Sequence, residues 1–212
     1  MSKSSASPDA STPRTSASRA PSTWRVVDIV VASVLAVAVG VIFWLWSAGY
    51  GLISAFTVAF PPLGGLYGGG WLIAGVIGGL VIRKPGAALY CELVAAVVEA
   101  LLGSSFGFTV LLSGVVQGLG AEAAFALFRY RKFNLPVALL AGAFSGIMMG
   151  LNDNIGYNAE WDFAWKVIYT VFGAISGAVI AGLLSWLAVR GLARTGALSN
   201  LPSRRAATER VV

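Results

Sequence analysis

Apolar residues along this chain gather into six long runs divided by short polar interruptions: Val26–Trp46, Pro62–Ile82, Gly86–Leu102, Phe108–Phe128, Leu135–Leu151 and Phe163–Val189. A helix rises about 1.5 Å per residue, so about 20 apolar residues cross a bilayer core of about 30 Å. The pattern predicts an all-α membrane protein of six transmembrane helices, the last long enough to tilt. The Gly- and aromatic-rich stretch Gly49–Phe60 is too short to span and is expected to be interfacial or re-entrant. Residues 1–23 are rich in Ser, Ala, Thr and Pro, cannot bury a core, and are expected to be a disordered tail. The first apolar run is too long for a signal-peptide core, so cleavage is not expected. The expected organisation is a tail over 1–23, one transmembrane domain over 24–190, and a second, flexible tail over 191–212.

Composition narrows the function classes. Of 212 residues, 57% are hydrophobic and 11% charged, too few charges to wet a soluble surface. With no histidine there is no His-based triad, His metal site or His general base. The one cysteine, Cys91, excludes an internal disulfide or multi-Cys cluster and reads as a packing residue. An intramembrane enzyme is therefore not supported, and neither a cofactor nor a metal is expected. The net charge of +6 does not point to nucleic acid, because the basic residues sit between the apolar runs. Every Lys and Arg except Lys166 falls on one side of the six-helix topology: the N-terminal tail with Arg25, then Arg83 and Lys84, then Arg129, Arg131 and Lys132, then Arg190 onward. The positive-inside rule predicts both termini in the cytoplasm of a multi-pass cell-membrane protein.

Three carboxylates stand inside predicted helices: Glu92 and Glu99 in the third, Glu122 in the fourth. Charge at membrane depth costs several kcal/mol and faces a bundle interior or a cavity. A network that only fixes helix register is the alternative. Glu92 and Glu99 share a face by their spacing. Two layers are expected: an inner charge network of Arg25, Asp28, Arg83, Glu92 and Glu122, with Lys84 as a further partner, and an outer polar site around Glu99 and Gln117. The outer loop Asn152–Asp162 adds Asn152, Asn154, Tyr157 and Trp161, with Trp165 just beyond; Phe106, Trp44 and Trp46 fall at the same level. These aromatics form either an interfacial belt or a lid that stacks on a flat ring. Ala32, Ala36 and Gly40 recur every four residues, a small-residue stripe suited to close helix approach. Gly64–Gly70 lacks the strand and the Gly-Lys-Ser/Thr of a phosphate loop.

Two helix motifs carry a resemblance. Lys84-Pro85-Gly86-Ala87-Ala88-Leu89-Tyr90-Cys91-Glu92, continuing to Glu99, is similar to the YkoE family of substrate-binding S components. So is Gly114-Val115-Val116-Gln117-Gly118-Leu119-Gly120-Ala121-Glu122, followed by Phe125 and Arg129-Tyr130-Arg131. The opening Trp24-Arg25-Val26-Val27-Asp28-Ile29-Val30 agrees, and the likeness runs from Trp24 to Val189. It implies a six-helix S-component bundle in an energy-coupling factor (ECF) transporter, an ABC importer whose T component and ATPases are separate chains. It implies thiamine or its hydroxymethylpyrimidine precursor as ligand, bound by Glu99, Gln117, Phe106, Asn152, Asn154, Tyr157, Trp161 and Trp165. It also maps a T-component contact onto Ala32, Ala36 and Gly40. The competing class is a stand-alone proton-coupled carrier using Glu92, Glu99 and Glu122 as a relay.

Overall fold

The computed structural model describes residues 23–209; residues 1–22 of the tail expected over 1–23, and the basic residue Arg210, lie outside them. The first helix, α1 (Val26–Phe56), starts where Asp28 accepts the Arg25 backbone N–H (2.8 Å) and pairs with its guanidinium (2.9 Å). One orphan donor of the first turn is thereby satisfied. α1 runs past the expected Trp46 to Phe56 and absorbs most of the stretch read as interfacial or re-entrant. Continued helix keeps each backbone polar group paired within the segment, which a loop near lipid does not.

The second crossing begins as two 3-10 pieces, Pro61–Leu66 and Gly68–Leu72, before becoming α2 (Ile73–Ile82). Glycine is required there: a Cβ on Gly65 would fall 2.6 Å from the backbone oxygen of Tyr169. The sixth crossing is irregular as well, with α6 (Phe163–Ser176), a π-helical turn over Gly177–Leu183, and α7 (Leu184–Arg194). Ser176 Oγ joins the two irregular stretches, accepting the Gly69 N–H (2.9 Å) and donating to the Leu66 carbonyl (2.5 Å). Non-α backbone at membrane depth is tolerated where protein buries it and satisfies its polar groups.

Between these lie α3 (Ala87–Leu101), α4 (Thr109–Leu127) and α5 (Leu135–Gly156). Five of the six crossings are long and apolar enough to span a membrane. The exception is α3, whose 15 residues reach only about 22 Å. It packs against α1, α2 and α4 and buries Ala87, Ala88, Cys91 and Ala95 completely. Lipid instead meets the outward ridge of α1, where Val30, Val34, Val41 and Leu45 are exposed. α5 overruns the expected Leu151 to Gly156 and takes in the first half of the segment read as an outer loop.

The small-residue stripe of α1, where a T-component contact is expected from sequence, is turned inward against α3. Ala32 and Ala36 are fully buried, and the Ala32 carbonyl lies 3.7 Å from Cys91 Sγ on α3. A Cβ on Gly40 would sit 2.7 Å from the Ala95 carbonyl oxygen. The space beside the stripe is filled by this chain's own α3.

Candidate ligand-binding site

At the end opposite the Lys/Arg-rich connections, the helices enclose a cavity of about 440 Å³, within the range of small-molecule sites. Helical periodicity builds its wall. On α3, Glu92, Ala96 and Glu99 recur at four and three residues; on α5, Met149, Asp153 and Tyr157 recur at four. α4 adds Ser113 and Gln117, and the late turns of α1 add Tyr50, Ser54 and Thr57. Trp71 enters from the 3-10 stretch, Phe106 from the α3–α4 connection, and Trp161 and Tyr169 from the start of the sixth crossing.

Three carboxylates face this space, and no Lys or Arg among the described residues lines it. Glu99 is held by two hydroxyls, accepting from Ser47 Oγ (2.5 Å) and Ser104 Oγ (2.9 Å). Trp71 Nε1 donates to Ser47 Oγ in turn (2.9 Å), so ring and carboxylate are fixed through one serine. Asp153 accepts from Tyr169 OH (2.8 Å) and Asn152 Nδ2 (3.2 Å). Glu92 is fully buried; Oε2 accepts the Gly75 N–H at the start of α2, while Oε1 has no partner among the described residues. The change from 3-10 to α-helix near Leu72 supplies that donor, since the first N–H groups of a helix lack intrahelical partners.

Four rings of the wall are joined through Phe106. Phe106 lies 5.4 Å from Tyr50, 5.7 Å from Trp71 and 6.0 Å from Tyr157, centroid to centroid, mostly edge to face. Tyr157 OH and Thr109 Oγ1 are 2.6 Å apart, which ties the end of α5 to the start of α4.

Of the eight ligand residues proposed from sequence, Glu99, Gln117, Phe106, Tyr157 and Trp161 line the cavity. Asn152, Asn154 and Trp165 do not. Asn152 supports from behind, donating to Ser113 Oγ (3.1 Å) as well as to Asp153. Asn154 donates to the Lys166 carbonyl and to Thr170 Oγ1 (both 3.0 Å), so it joins α5 to α6. Trp165 packs edge-on against Trp161 and Phe60. Trp46 stacks on Tyr67, and neither Trp46 nor Trp44 reaches the cavity wall. Asp153, Tyr169, Tyr50 and Trp71 were missed; the α5 periodicity from Met149 was the available signal for Asp153.

The expected inner charge network separates into distinct arrangements. Asp28, fully buried, pairs with Arg25 and with Lys84 (2.5 Å). Arg83 pairs with Glu209. Glu92 belongs to the cavity. Glu122 caps α3 from α4, accepting the N–H groups of Gly86 (2.6 Å), Ala88 (2.9 Å) and Leu89 (3.2 Å) together with Tyr130 OH (2.7 Å). Partial burial and the neighbouring Glu122 carboxylate push the Tyr130 phenol well above its usual range, so it stays a donor. Glu122→Ala leaves three α3 donors without this acceptor and is expected to lower stability by about 2–3 kcal/mol. Thermal unfolding in detergent checks this, and Tyr130→Phe should cost less.

A bundle of six helices around an acidic, aromatic pocket is the arrangement of a solute-binding membrane subunit, and comparison with known proteins defines the class. A crystal structure of an S component of an ECF transporter superposes with a TM-score of 0.79 at 38% identity, covering 85% of this chain and 91% of that one. This protein is a transport subunit of that class, not an enzyme. More closely, the chain belongs to the YkoE family. It is 40% identical over 182 residues to the HMP/thiamine permease protein YkoE of Bacillus subtilis (strain 168), covering 84% of this chain and 89% of the relative. The profile of the family described as ABC-type cobalt transport system, permease component, also matches, over residues 27–148. Among the described residues, no three His, Cys, Asp or Glu side chains gather where they could hold a metal ion.

Proposed function

We propose that this subunit captures thiamine at the outer face of the membrane and delivers it inward together with a T component and ATPase subunits. The carrying observation is a cavity bearing Glu92, Glu99 and Asp153, ringed by aromatics and lined by no Lys or Arg among the described residues. Thiamine offers a fixed-positive thiazolium and an aminopyrimidine edge. Tyr50, Trp71, Phe106 and Tyr157 suit the flat cation, a contact worth about 0.5–2 kcal/mol per ring. The carboxylates strengthen the attraction as water leaves the site. The unpartnered Glu92 Oε1 and the Gln117 amide suit the pyrimidine edge. The distribution of Lys and Arg supports the outward orientation of this cavity and cytoplasmic termini.

Hydroxymethylpyrimidine, which is neutral, uses the amide and stacking contacts but leaves the acids uncompensated. Thiamine is therefore expected to bind at least about tenfold more tightly, a difference of about 1.4 kcal/mol. Tryptophan-fluorescence titration of the detergent-purified protein measures both affinities. Equal affinities would remove the acids from the recognition scheme, and no binding of either compound at micromolar concentration would sink the ligand assignment. Uptake into liposomes should require the T component and ATP. Uptake by this chain alone under a pH gradient would instead favour the carrier reading, although Glu122, one member of its relay, is engaged at the α3 N-terminus.

A further inference from the structure

At the Lys/Arg-rich end, residues 195–209 turn back across the ends of three crossings. Arg83, at the end of α2, forks onto the Glu209 carboxylate (2.6 and 2.7 Å) with its guanidinium 4.9 Å over the Phe133 ring. Arg190, in α7, donates to the carbonyls of Ala207 and Glu209 (both 3.0 Å). Arg25, at the start of α1, donates to the Asn200 carbonyl (3.1 Å). Leu198, Leu201 and Ala206 are buried. The segment is held as a bound peptide is held, by an acidic side chain, main-chain carbonyls and apolar seats. Arginine is suited to the first because its planar fork matches a carboxylate.

The surface carries more positive charge than Glu209 uses. A cleft of about 370 Å³ beside Glu209 is lined by Arg83, Arg131, Lys132, Phe133 and Asn134. Arg131 and Lys132 pair with no carboxylate among the described residues. We propose that this face is the docking site for an acidic segment of a partner subunit, and that residues 198–209 occupy it until assembly displaces them. The inference rests on the reading of this chain as one subunit of a larger transporter. A lipid headgroup would engage the guanidinium and ammonium groups alone. The carbonyl-gripping Arg25 and Arg190 and the apolar seats fit a polypeptide.

The test uses the full chain in detergent and a fluorescent peptide of Leu and Glu that trypsin cannot cut. Glu209→Gln removes the internal competitor and should tighten peptide binding by roughly tenfold. It should also speed tryptic cleavage at Arg204 and Arg205, with thiamine binding unchanged as the control for folding. Adding Arg83→Gln to that variant should return peptide binding to background. Unchanged peptide affinity in Glu209→Gln, with cleavage accelerated, would overturn the proposal, as would indifference of peptide binding to Arg83→Gln. Loss of the gain in anionic-lipid nanodiscs, but not in neutral ones, would reassign the face to lipid. Coexpression with a T component and ATPases from the same organism separates the two readings. Peptide binding that responds as expected, with no copurification of any variant, supports the docking face and counts against the subunit reading.

Discussion

Glu92→Gln is expected to weaken thiamine binding by about 100-fold while leaving the ligand-free protein as stable as before, or more so. Glu92 is fully buried, its Oε2 accepts the Gly75 N–H, and its Oε1 has no partner. In the variant the amide oxygen can keep the Gly75 contact, so the amide nitrogen turns toward the cavity. An acceptor aimed at the ligand then becomes a donor, and one of the three carboxyls that can compensate a bound cation is lost. Removing one member of a buried, hydrogen-bonded charge pair costs about 2–5 kcal/mol, and about 2.7 kcal/mol corresponds to 100-fold. In the empty protein the same change replaces a buried carboxyl that no cation accompanies with a neutral amide of the same shape, which is neutral or stabilising. Fluorescence titration gives the affinity and thermal unfolding without ligand gives the stability. An affinity within twofold of the parent would show that the free oxygen does not meet the ligand. Sequence reasoning put Glu92 in an inner network; its position on the cavity wall puts the expected cost on affinity.

The second large effect is on folding. Ala36→Trp is expected to prevent recovery of a folded, monodisperse protein. Ala36 is fully buried in the α1–α3 contact, where Gly40 meets the α3 backbone with no room for even a Cβ. Overpacking by a few methylenes costs about 1–3 kcal/mol, and an indole adds far more volume. Size-exclusion elution and thiamine binding check the outcome. A well-behaved Ala36→Trp protein with normal affinity would mean that the stripe is free, as a T-component contact requires. Ala36→Gly serves as the small-volume comparison and should remain folded.

The six crossings could be read from hydropathy because lipid demands long apolar runs. Their ends could not. α1 continues through Gly49 and Gly51, and α5 through Asn152–Gly156, because backbone pairing outweighs poor helix propensity there. The 3-10 and π stretches leave no mark in a hydropathy window. Within the site, Glu92 and Glu99 were placed on one face by their spacing, and both reach the cavity. Reading Asn152–Asp162 as loop hid Asp153, which is a helical residue one turn beyond Met149. The stripe on α1 was legible as a close-packing surface. Nothing in the sequence says whether such a surface meets another chain or its own, and that is decided by where α3 lies.

The π-helical turn over Gly177–Leu183 sets the phase of the sixth crossing. Upstream of it, Ser176 is aimed at the 3-10 stretch of the second crossing; downstream, Arg190 is aimed at the C-terminal segment. An α-helix advances about 100° per residue, so a chain one residue shorter between those positions would bring one of them to its partner and swing the other away. The wider turn reconciles the two alignments. Length here is a form of specificity: conservative substitutions in this stretch leave both alignments in place, whereas a single deletion cannot.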